Sequence, residues 1–134
     1  MSLENDLTNE GDAAISMMMG IERASIKALC GQIIDDSPVL TGALRGSWRS
    51  SNGVANLDST PRIDPSGAEP KEELSDIVAQ NDGTEDFVFS NALPYSESIE
   101  FDGHSKKAPE GMVRRNLPSW PGLVMKFSSS RGEV

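Results

Sequence analysis

Between about Asn9 and Asp36 the apolar residues return every three or four positions, and the pattern stops at Ser37-Pro38. Ile15, Met18, Met19, Ile26, Leu29, Cys30 and Ile33 fall within an arc of about 120° on a helical wheel, which predicts a long amphipathic helix. A second stripe of Ala14, Met17, Ile21, Ala24 and Ala28 lies beside the first, leaving a narrow polar ridge of Ser16, Gly20, Arg23, Lys27 and Gly31. An apolar arc this wide needs more than one wall. A helix of about 28 residues is also about 42 Å long, more than one small sheet covers. The second stripe, centred on Met17, Ile21 and Ala24, is therefore expected to meet either another subunit or a C-terminal helix of the same chain. Gly11 and Gly20 each weaken the helix by up to about 1 kcal/mol, mostly in its first turns.

The helix ends in a corner. Pro38 cannot continue it, Gly42 can reverse the chain with φ > 0, and Thr41 and Arg45 flank the turn. Beyond it, Ala43 to Arg49 alternates loosely between apolar and polar residues and predicts a strand that brings Trp48 to the core. Asn52-Gly53 predicts a hairpin to Val54-Ala55-Asn56-Leu57. Residues 58–70 hold Pro61, Pro65, Gly67 and Pro70 and predict an exposed loop. Leu74, Ile77 and Val78 predict a short amphipathic helix over Glu72–Gln80, with acids in its first turns. Asp86 to Asn91 is the most strand-like run and is expected at the centre of the sheet. A helical turn from Pro94 to Phe101 would turn Tyr95, Ile99 and Phe101 inward, and Met112 to Phe127 is helix-compatible with a kink or break at Pro118 and Pro121. The expected fold class is α+β: a long N-terminal helix and shorter helices packed on a small, mainly antiparallel β-sheet. Residues 9–127 read as a single domain, residues 1–8 as a flexible arm and residues 128–134 as a flexible tail.

At 134 residues the chain can build one hydrophobic core. No apolar run approaches the roughly 20 residues that span a bilayer, and the acidic start lacks the layout of a secretion signal. The single cysteine, Cys30, excludes an internal disulfide and a multi-thiolate zinc site, and its spacing makes it a small buried apolar residue. The net charge of −9 is unevenly spread. Residues 64–103 hold eleven acids and one base, whereas residues 104–131 hold six bases and one acid. A chain polarised in this way can attract copies of itself head to tail.

The search for chemistry yields little. His104, the sole histidine, lies near Glu100 and Asp102 but lacks the convergent spacing of a metal or acid-base site. Asp35-Asp36 and Glu72-Glu73 are sequence neighbours that complement helix ends rather than share a proton. Neither GxxxxGK[ST] nor GxGxxG occurs, so no nucleotide site is predicted. Lys106, Lys107, Arg114 and Arg115, with Trp120 nearby, make a modest basic patch on an acidic chain, too little for a sequence-reading nucleic-acid binder. The expectation is no enzyme, no cofactor and no metal.

Three blocks carry a resemblance: Pro38-Val39-Leu40-Thr41-Gly42-Ala43-Leu44-Arg45 after a long helix; Asn91-Ala92-Leu93-Pro94-Tyr95 with Ile99-Glu100 and Gly103; and Ser105-Lys106-Lys107-Ala108-Pro109-Glu110-Gly111-Met112-Val113-Arg114. In order and spacing they resemble the neck or tail-completion (head-to-tail joining) proteins of tailed bacteriophages, over about residues 13–127. The resemblance implies a non-enzymatic virion protein of the neck or tail, present in the host cytoplasm during assembly. It would form a homo-oligomeric ring, a hexamer or dodecamer, between the portal or adaptor and the tail-tube proteins, with double-stranded DNA passing through the lumen without sequence-specific binding. Within it, Thr41, Gly42 and Arg45 would fix the corner, and Trp48 would sit in the core. Tyr95 and Glu100 would anchor the short helix against that corner. Met17, Ile21, Ala24, Lys106, Lys107, Arg114 and Arg115 would meet neighbouring subunits. Acids of the 64–103 segment or the first helix would line the channel and repel phosphate. The proline-bearing Leu117–Pro121 stretch departs from the continuous helix of the family. Two other classes fit the residues: a monomeric intracellular adaptor, and a small hydrolase built on His104.

Overall fold

The structure, a computed structural model, describes residues 3–101 and 108–132. Its elements are α1 (Leu3–Asp36), α2 (Ala43–Gly46), β1 (Arg49–Asn52), α3 (Ala68–Gln80), β2 (Phe87–Ser90), α4 (Ser96–Phe101), α5 (Val113–Asn116), a 3-10 turn (Leu117–Ser119) and α6 (Trp120–Gly132). The fold is α+β, with a long N-terminal helix, shorter helices and a small antiparallel sheet. No helix among the described residues is long and apolar enough to cross a membrane.

Two expectations around the corner are overturned. Residues 43–46 are a turn of helix, not a strand: Gly46 N donates to Gly42 O at 2.9 Å and Ser47 N to Ala43 O at 3.0 Å. Ala43, Leu44, Ser47 and Trp48 are all buried, which is a helical spacing that also mimics a loose alternation. The hairpin at Asn52-Gly53 does not form. A two-residue hairpin turn of that kind needs φ > 0 at both central residues, and among the described residues only glycines have it. The Asn52 side chain is engaged elsewhere, donating to Ile77 O at 3.0 Å and accepting from Asn81 Nδ2 at 2.8 Å. β1 pairs instead with β2, Arg49 opposite Ser90 and Asn52 opposite Phe87. With two strands in the sheet, β2 is an edge rather than its centre. Val54 and Leu57, left without a partner strand, are exposed.

The core gathers Cys30, Ile33 and Ile34 of α1, Leu44 and Trp48 of the corner, Leu74 and Val78 of α3, and Leu93 and Met112. Trp48 stacks on Phe89 at 4.7 Å with the rings 3° from parallel, joining the corner to the sheet. Helix α3 starts four residues earlier than its apolar spacing indicates. Pro70 fits its first turn, where no intrahelical N–H bond is lost, and Asp64 Oδ2 accepts from Glu69 N at 2.7 Å. Hydrogen bonds from the Ser66 hydroxyl and the Glu69 amide hold the Asp64 carboxyl below the usual carboxylate range.

Helix α1 begins at Leu3, inside the segment read as a flexible arm, and α6 extends to Gly132, inside the segment read as a tail. Pro118 and Pro121 are accommodated as a 3-10 turn followed directly by the first turn of α6, so the break is small. Asn116 Nδ2 donates to Asp36 Oδ2 at 2.9 Å, which starts the C-terminal helices beside the end of α1. Because α6 then stays packed on α1, it runs back along it. The inner residues of α6 (Trp120, Leu123, Val124 and Phe127) and Ile21, Ala24 and Ala28 of the second stripe are half-buried, and Ser25 between them is fully buried. Of the two coverings the sequence allows, the C-terminal helix of the same chain takes the stripe from Ile21 onward. Thirteen residues of helix reach only about 20 Å, so α6 stops short of Thr8 to Met18, which are all exposed.

Candidate functional site

The residues singled out around the corner do meet. Gly42 takes φ +94, and a Cβ there would lie 2.5 Å from Pro65 N, so only glycine fits. Thr41 Oγ1 accepts from Ala43 N at 3.2 Å. The Arg45 guanidinium donates to Asp35 O at 2.8 Å, Ser37 O at 3.0 Å and Pro65 O at 2.9 Å. Two of those carbonyls belong to the end of α1, where helical carbonyls lack intrahelical partners. Trp48 Nε1 donates to Ser37 Oγ at 2.7 Å, and Ser37 Oγ donates on to Ile33 O at 2.8 Å. Asn91 Nδ2 donates to Leu44 O at 2.9 Å, drawing the segment after β2 onto the same corner.

Glu100 is buried at the end of α4, but it serves α5 rather than the corner. Its carboxylate accepts from the backbone N–H groups of Met112 at 2.8 Å, Val113 at 2.7 Å and Arg114 at 3.0 Å. It thus caps from a distance the amides that open a helix and have no intrahelical acceptor. Gly111, at φ +82, lets the backbone pass so close that any Cβ would collide with the carboxylate.

Arg114 donates to Glu100 O and lies 5.4 Å over the Phe101 ring. Arg115 faces Asp36 at 3.9 Å. Both side chains keep about half of their surface exposed, 46% and 50%, so each holds the fold and still presents charge outward. Tyr95 is not in the core; it is 45% exposed, Phe101 is 62% exposed, and the buried slot is filled by Leu93. A residue just ahead of a short helix points off its buried face, and the aromatic pattern did not reveal that offset. Met17 is 46% exposed, whereas Ile21 and Ala24 are half-buried. Lys106, Lys107 and His104 lie outside the described residues.

One organising residue gave no sequence signal. Arg62, in the proline-bearing loop, donates to Gly46 O at 2.6 Å, Trp48 O at 2.6 Å and Glu73 Oε2 at 2.9 Å. Glu73 Oε1 accepts from Ser50 N at 2.9 Å, so one ion pair ties loop, corner, sheet and α3. Only its partners' positions in space distinguish Arg62 from a solvated loop arginine.

No three His, Cys, Asp or Glu side chains among the described residues converge as metal ligands. The described surface carries an acidic groove beside α3, lined by Glu69, Glu72, Glu73 and Asp76, and two apolar features. An open groove of about 420 Å³ lies between β2, α4 and α5, lined by Trp48, Phe89, Phe101, Met112 and Leu117, with Arg114 at its rim. The second is on α1, where Ile15 is 57%, Met17 46% and Met18 64% exposed. Compared with protein-family profiles, with curated proteins and with solved structures, the chain finds no match.

Proposed function

We propose that this chain is a structural subunit of the neck of a tailed-bacteriophage virion, one copy in a hexameric or dodecameric ring that joins the portal or adaptor to the tail tube and lets DNA pass. The observation that carries the reading is the convergence of the resembling blocks. Asn91 holds Leu44 of the corner, and Glu100 holds Met112, Val113 and Arg114. Asn91 and Leu44 are 47 residues apart in sequence and Glu100 lies 12 to 14 residues before Met112–Arg114, so the three blocks form one connected knot. Exposed Ile15, Met17 and Met18, clustered on α1, give the reading a contact surface. The outward face of α3 carries exposed Glu69, Glu72 and Asp76, which suits a channel wall that repels phosphate.

Localisation tests the reading directly. Purified particles probed with an antibody or a gold-labelled tag should carry the chain at the junction of head and tail, in a ring's worth of copies. Particles that lack it, or a purified sample that turns over a substrate, would overturn the assignment.

A further inference from the structure

Residues 1–22 hold five acids and no base, whereas residues 111–132 hold four bases and no acid. Glu10 and Asp12 lie beyond the first turn of α1, where the helix dipole does not explain them. On the wheel, Gly11, Ala14 and Met18 follow one another at three- and four-residue steps. The same seam continues as Ile21, Ser25 and Ala28, where α6 covers it. The outer half of α1 is therefore a helix seam whose covering stops short.

We propose that this outer half of α1 docks against the next copy of the chain, seating Ile15 and Met18 in the groove beside Trp48, Phe89 and Leu117, with Glu10 and Asp12 facing Arg114 and the C-terminal basic stretch. Docking of this kind presupposes the ring assembly proposed above and names its contact. A helix cannot serve its own groove: Met18 is 18 residues from Asp36, about 27 Å along a straight helix, and Asp36 sits beside α5 at the groove's end of the molecule. Two outer halves do not suit each other either, because each brings only negative charge. Complementary patches at opposite ends make a heterologous contact, which closes into a ring when the rotation permits. Methionine, flexible and polarisable, suits an open apolar groove of this kind.

Cross-linking between differently tagged copies tests the contact. With Cys30→Ala as background, Met18→Cys is placed in one tagged population and Leu117→Cys in another. Both sites are exposed, 64% and 52%, so folding is retained and checked by circular dichroism. After mixing and mild oxidation, the Met18–Leu117 disulfide should exceed either homodisulfide by about tenfold, and Glu10→Lys with Asp12→Lys should weaken association by about tenfold. A dominant Met18–Met18 link, or no link at all, overturns the docking. Rings that form without the Met18–Leu117 link overturn the docking alone, whereas absence from particles sinks the neck assignment and leaves the cross-link to be read on its own.

Discussion

Glu100, in the last turn of α4, has its carboxylate on three consecutive backbone amides, which makes it a helix cap supplied from 12 to 14 residues away. Glu100→Ala would leave those donors, one buried and two part-buried, without this acceptor, at a cost of about 3 kcal/mol. Glu100→Gln keeps one acceptor oxygen and should lose about 1–2 kcal/mol. Urea midpoints of the two variants check the order. Cys30 is governed by burial: desolvation pushes its thiol from 9.0 up to about 12. The folded thiol should therefore ignore thiol reagents at neutral pH until denaturant is added. Because the folded value lies above the unfolded one, its contribution to stability is complete below pH 9 and is lost as pH rises toward 12. Relative to Cys30→Ala, the native chain should lose more stability between pH 8 and 11, read from denaturant midpoints at each pH. A midpoint difference that stays flat across that range would contradict the burial seen here.

Among the elements, α1 is the one whose halves differ. From Met19 onward it is walled by α3, β2 and α6, whereas Thr8 to Met18 are exposed. Eleven exposed residues of helix are marginal by themselves in water, because nucleation is costly and tertiary packing supplies most helical stability. Gly11 weakens the outer half further. Amide hydrogen exchange on the unassembled chain should show residues 8–18 exchanging at least about a hundredfold faster than residues 24–34, and assembly should remove most of that difference. Equal protection in the unassembled state would mean that the outer half needs no partner. The sequence made the existence of this helix legible through its apolar spacing, yet not which stretch of the second stripe α6 would cover, since that depends on where α6 starts. Its start is set by Asn116 and Arg115 meeting Asp36.

On the scale of the whole molecule, one core is held by knots that join distant segments. Arg45 ties the end of α1 to the loop before α3, Arg62 ties that loop to the corner and to α3, and Glu100 ties α4 to α5. Local periodicity alone determined the long helix, the amphipathic helix ending at Gln80, the strand around Phe87–Ser90 and the turn at Gly42. In each of these, the spacing of apolar residues or the freedom of one glycine acts within a few residues. The small two-stranded pairing, the turn of helix at Ala43–Gly46, the exposure of Tyr95 and the role of Arg62 were decided only by tertiary structure. Asn52-Gly53 carries the residues of a hairpin, but the side chain of Asn52 finds Ile77 and Asn81, and β1 finds β2 across 34 intervening residues. A short-range signal fixes a conformation only while no distant partner offers its polar groups and apolar faces a better home, and which partner arrives is a property of the packed chain.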